Sequence, residues 1–153
     1  MPDRLGSRMP PGLVQKHLMV QGGAFRRKWE FKNEGNKWRY FFILNKSPLT
    51  DDKLLIVTAT TKVQKTLRLF SLAVVVVSPN EYGSLEQESA INCAMPEERS
   101  KKELLDAINA GEIHVMTPLP DSVLARVLKA VETATTITPK SKALILGEVD
   151  PRP

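Results

Sequence analysis

The chain is poor in the residues that staple small proteins or hold metals. Of its 153 residues one is cysteine, Cys93, and two are histidine, His17 and His114. A lone cysteine excludes an internal disulfide framework and a cysteine-based zinc site. It stands in SAINCAM, which reads as a strand, and is expected to be a small buried hydrophobe. One free thiol suits a cytoplasmic protein. The histidines stand apart, with no partner at metal-ligand spacing, so neither a metal centre nor a Ser-His-Asp triad is supported. His114 reads as a strand residue that faces solvent or has a hydrogen-bond partner. No apolar run approaches the roughly 20 residues of a bilayer span. The start, MPDRLGSRMPPG, lacks the apolar core of a signal peptide. No cofactor, no metal and no membrane are expected.

What is present is ordinary for a globular domain: 42% hydrophobic and 25% charged residues, enough to bury a core in one domain. The net charge is +5, and residues 1–40 concentrate it, with nine Lys or Arg against three Asp or Glu. Such a bias suits an anionic partner, nucleic acid or an acidic protein. A solvated, solubilising surface gives the same composition.

Residues 1–12 are rich in Pro and Gly and are expected to be a disordered arm. One domain is expected over 13–147, with a flexible tail over 148–153. LVQKHLMV suggests a short strand or an ordered arm, broken by QGGAF. FRRKWEF alternates apolar and basic residues as a strand does. NEGNK reads as a turn or loop. WRYFFIL, apolar almost throughout, reads as a central strand. NKSPLTDDK carries turn chemistry, so WRYFFIL and LLIVTATT should form a hairpin. SLAVVVVS, SAINCAM and EIHVM read as further strands. Ser100 and Glu103 form a capping box that opens a helix near 100–110, which Gly111 ends. A second helix near 121–134 carries the apolar stripe Val123, Leu124, Val127, Leu128 and Val131. TPKSKALIL suggests a last short helix. Strands followed by helices favour an α+β fold, a small barrel or strongly bent antiparallel sheet with helices packed on it.

The threonines of KLLIVTATTK admit two readings. Thr58, Thr60 and Thr61 suit a half-buried strand, or they are hydroxyls at the mouth of a site. Here a resemblance bears on the choice. From about Trp38 to Ile137 the chain resembles the MazF/PemK toxins. NKWRYFFIL stands where that family has a GGxRP loop entering a VxVI strand, and IVTATT where it has IVAxIT. EYGSLEQES and SKKEL follow in the family's order, and PLPDSVLARVLKAVETATTI is similar to its closing helix. The chain departs from the pattern at the QxRT segment, replaced by MPEER with Met95, Glu97 and Arg99, and at Tyr40, which replaces a proline.

The resemblance implies an SH3-like barrel with C-terminal helices, a homodimer that would cover exposed apolar strand surface such as YFFIL, a cognate antitoxin as partner, and metal-independent cleavage of single-stranded RNA. It implies Arg39 and Thr61 as catalytic residues. In such chemistry the substrate's 2′-OH is the nucleophile. The protein has only to remove a proton, stabilise the phosphorane and protonate the leaving 5′-oxygen. Arg39 then holds the phosphate in its guanidinium fork, and Thr61 hydrogen-bonds a non-bridging oxygen. Strand alternation implies that only one of Thr60 and Thr61 faces the site. Arg26, Arg27, Lys28, Lys37 and Lys62 are candidates for the RNA backbone, with Thr60 beside them, and Trp38 and Trp29 for base stacking. Two other readings remain: a non-catalytic barrel of the same fold that binds nucleic acid or a protein partner, and an oligomeric accessory protein.

Overall fold

Apolar side chains that alternate along three consecutive segments build the centre of the sheet, and each of its faces is covered by different helices. The computed structural model describes residues 16–31 and 35–147. The expected arm, 1–12, and tail, 148–153, and the side chains of Trp29 and Lys37, lie outside the described residues. The strands are β1 (Ala24–Phe31), β2 (Gly35–Ile43), β3 (Lys53–Thr60), β4 (Val74–Val77), β5 (Ser89–Asn92), β6 (Glu97–Ser100) and β7 (Ile113–Met116). They form one antiparallel sheet in the order β4-β5-β3-β2-β1-β7, and β6 shares with β5 the edge of β3 that faces away from β2. Among the described residues the outer strands β4 and β7 do not pair, so the α+β sheet bends without closing. The β2–β3 hairpin forms as the turn chemistry implies. Asn45 locks its loop: its amide donates to Asp51 Oδ2 (2.8 Å) and to the Lys53 carbonyl (3.0 Å), and its Oδ1 accepts from Leu55 N (2.7 Å).

Period-two alternation sorts β3 into two cores. Leu55, Val57 and Ala59 join Phe42 and Leu44 under α3 (Asp121–Thr133) and α4 (Pro139–Leu146). Leu54 and Ile56 join Phe25, Ile43, Ile113 and Val115 under α2 (Lys101–Asn109). Val123, Val127 and Val131 are the buried face of α3, with Leu124 and Leu128 packed beside them, as their spacing implies. Ser100 caps α2, accepting from Glu103 N. Gly111 follows at φ +76°, the left-handed conformation that suits glycine after a helix.

Three local expectations are corrected. Of the two readings of LVQKHLMV the strand fails over the described residues: residues 16–18 are helical, and Leu18 and Met19 plug the α2-side core. Gly23 allows this, because a Cβ there would meet the Leu18 carbonyl oxygen at 1.9 Å. NEGNK is not wholly a loop, since β2 begins at Gly35. YFFIL is not an apolar surface awaiting a partner: Phe42, Ile43 and Leu44 are buried within the chain, and Tyr40 and Phe41 are partly buried against the two cores. Two elements had gone unread. One is α1 (Val63–Phe70), which has no side-chain cap. The other is β6, whose EERS sequence carries no apolar pattern.

Candidate functional site

The site lies in a notch at the end of β3. That strand stops at Thr60, while β2 continues alongside β1 toward Gly35. The last β2–β3 pair is Tyr40 with Ala59, so Arg39 lies in the middle of its strand rather than at its start. Arg39 and the threonines meet because β3 runs out beside it. A cavity of about 190 Å³ opens there, lined by Arg26, Trp38, Arg39, Thr60, Thr61 and Lys62 together with Tyr40, Ala59, Glu86, Gln87 and Ser89. Six residues singled out from the sequence thus share one cavity.

Thr60 and Thr61 both line it. The alternation that would have separated them ends with the strand, and Thr61 occupies the bend beyond. Thr60 Oγ1 accepts from Lys62 N (3.2 Å), which shapes that bend. Thr61 is exposed, and among the described residues no hydrogen bond engages its hydroxyl. Thr58 is turned elsewhere, its Oγ1 donating to the Tyr40 carbonyl (3.0 Å).

Charge in the cavity is mostly of one sign: Arg26, Arg39 and Lys62 against one carboxylate, Glu86. Trp38 is 43% exposed. The Arg26 guanidinium lies 5.0 Å from the centroid of its ring, a cation–π distance. His114 meets the same indole edge-on at 4.9 Å. Neither reading of His114 from the sequence holds in full. It is half-buried, and its Nδ1 is buried with no partner among the described residues.

Of the other basic candidates, Arg27 and Lys28 do not line this cavity. Arg27 alternates with Arg26 to the α2-side face of the sheet, the face of its ladder partner Arg39, lies 3.6 Å from Glu112, and lines a second cavity. Lys28 is exposed on β1. Glu86, Gln87 and Ser89 were missed by the sequence reading. They reach the site on the loop into β5, and the matching Glu88-Ser89 segment was the signal that could have found them. Ser89 is buried, its hydroxyl donating to the Gln87 carbonyl (3.0 Å). Among the described residues no group of three His, Cys, Asp or Glu side chains is placed to hold a metal ion, and no helix is long and apolar enough to cross a membrane.

Solved structures share this architecture. The MazE-MazF complex from Deinococcus radiodurans superposes with a TM-score of 0.51 at 9% identity, over 76% of this chain and 95% of that one. The chain has a MazF-like toxin fold. An endoribonuclease in complex with its cognate antitoxin from Mycobacterial species also matches at TM-score 0.51, with 15% identity over 78% of this chain and 96% of that one. No family model matches the sequence, and neither does any curated protein. The likeness to MazF is therefore carried by the path of the chain, with few shared residues.

Proposed function

We propose that the chain is the toxin of a toxin-antitoxin pair, a metal-independent endoribonuclease of the MazF type that cuts single-stranded RNA. One observation carries the reading: Arg39, Thr61, Thr60, Lys62, Arg26 and Trp38 share one solvent-open, cation-rich cavity. Bound RNA presents a phosphate to the Arg39 fork, and the Thr61 hydroxyl donates to a non-bridging oxygen. These donors offset the charge that grows on the phosphorane. Lys62 and Arg26 carry the flanking backbone, and Trp38 offers an aromatic surface to a base. The 2′-OH proton goes to Glu86, the one carboxylate in the cavity, the 2′-oxygen bonds to phosphorus, and the 5′-oxygen leaves and takes a proton from water. The products are a 2′,3′-cyclic phosphate and a 5′-hydroxyl. A cognate antitoxin and a homodimeric state belong to the same proposal. Both follow from the resemblance, and the first is supported by the antitoxin complex among the similar structures.

The test is cleavage of single-stranded RNA by purified protein in the presence of a chelator. Wild type is expected to cut. Arg39→Ala and Thr61→Val are expected to lose cutting while keeping the wild-type circular dichroism. A wild type that binds RNA without cutting it would identify a binding module instead.

A further inference from the structure

A neighbour of the notch has chemistry of its own. A cavity of about 220 Å³ opens on the α2 side of the sheet, floored by Phe25, Phe41 and Ile56 and rimmed by Thr58, Glu97 and Arg99. The Phe25 and Phe41 rings stack at 5.2 Å with 14° between their planes, so the floor is aromatic and apolar. Glu97 and Arg99 stand two residues apart on β6, joined by an ion pair of 2.6 Å. Met95, 61% exposed, completes the mouth. This rim is the MPEER segment, the stretch in which the chain departs from the family pattern.

Its position relates it to the notch. Phe41 lies two residues beyond Arg39 on β2, and Thr58 two residues before Thr60 on β3. Two residues along a strand keep the same face and advance about 7 Å. A nucleotide next to the one held at Arg39 therefore comes within reach of this cavity.

We propose that the cavity is a subsite for a guanine base. The aromatic, apolar floor suits an unstacked base, the usual target of single-stranded RNA recognition. The rim selects the base. Guanine displays two acceptors, O6 and N7, which an arginine fork reads in pairs, and two donors, N1–H and N2–H, which a carboxylate accepts in pairs. Arg99 and Glu97 supply that complementary set side by side. Adenine lacks the O6 acceptor, and a pyrimidine lacks N7. The proposal deepens the RNA-cutting reading and rests on it, but binding of the base is separable from cutting.

The experiment uses the full chain and free nucleosides, which carry no phosphate for Arg39 to hold. Guanosine and cytidine are titrated while NMR signals are followed at Phe41, Thr58 and Arg99, and at Arg39 and Thr61. Guanosine is expected to move the first set, with cytidine at least about tenfold weaker. Arg99→Gln and Glu97→Gln are each expected to weaken guanosine about tenfold with the remaining spectrum unchanged. Both side chains are exposed, so the fold does not depend on them. The proposal is overturned if no nucleoside moves the first set, if guanosine and cytidine act alike, or if only an antitoxin peptide moves it. Guanosine binding in a protein that cuts no RNA would sink the endonuclease reading and leave the subsite standing.

Discussion

Arg27 and Arg39 stand directly opposite each other across the β1–β2 ladder. Like charges so placed repel. Glu112 lies 3.6 Å from Arg27, and an anion bound at the pair would offset the repulsion further. Losing Arg39 should therefore cost activity and not folding. The neighbouring threonines make a sharper comparison: Thr61→Val is expected to abolish cleavage, while Thr58→Val, whose hydroxyl is engaged with the Tyr40 carbonyl, is expected to cut at close to the wild-type rate. Product analysis on a gel separates the two. Cys93 gives a residue-scale prediction independent of function. It is fully buried, and that burial pushes its thiol up to about 12. Iodoacetamide at pH 8 is expected to leave the native protein unlabelled and to modify it once denaturant has opened the core; prompt labelling of the native chain would contradict the packing.

Among elements, α3 bears most on stability, because its buried stripe closes the larger core. Val127 is wholly buried there. Val127→Asp would place an unpaired charge among apolar side chains at a cost of several kcal/mol and is expected to unfold the chain, read as loss of the cooperative thermal transition. The α2 cap works at a smaller scale: Ser100→Ala removes the acceptor for Glu103 N and should cost about 1 kcal/mol in a urea titration. The β3–β6 ladder also carries a Lys53–Glu98 pair at 2.8 Å, fully exposed. Lys53→Ala should leave the unfolding midpoint where it is, since solvent screens such pairs.

At the scale of the whole molecule, two groups tie stability to alkaline pH. Burial raises Tyr82 from 10.0 to about 12 and Cys93 from 9.0 to about 12. Each folded value lies above the unfolded one, so the unfolded chain releases its protons first. The associated stability is complete below about pH 9 and is lost as pH rises toward 12. A fall on the order of a few kcal/mol across that window is expected in denaturant midpoints. The proposed homodimer is a separate matter. Because Phe42, Ile43 and Leu44 are buried within the chain, a dimer contact would use other surface, such as that of the exposed Leu69 and Leu72. Sedimentation at micromolar concentration that finds only monomer would remove the dimer from the proposal.

Local chemistry in the sequence determined the β2–β3 hairpin, the helices α2, α3 and α4, the core stripe of α3 and the burial of Cys93. Each rests on a short-range signal: alternation, a cap, a glycine stop or a helical period. The same signals fail for α1 and β6. Helix α1 has no cap and exposes Leu69, and β6 is a charged strand held only by its ladder with β3. Through a family resemblance and the antiparallel hairpin, the sequence also implied that Arg39 and Thr61 lie together, and they line one cavity. Tertiary structure alone decided the rest of the site. Where β3 stops relative to β2 depends on pairing across the sheet, and that stopping point brings Thr60 and Thr61 to one cavity. The loop before β5 brings Glu86 to the cavity that Arg39 lines because β5 pairs with β3 at Thr60. The contacts of Trp38 with Arg26 and His114 join β1 and β2 to β7, which is distant from both in sequence. No local pattern encodes such contacts, because they follow from strand order, and strand order is set by the burial of both sheet faces at once.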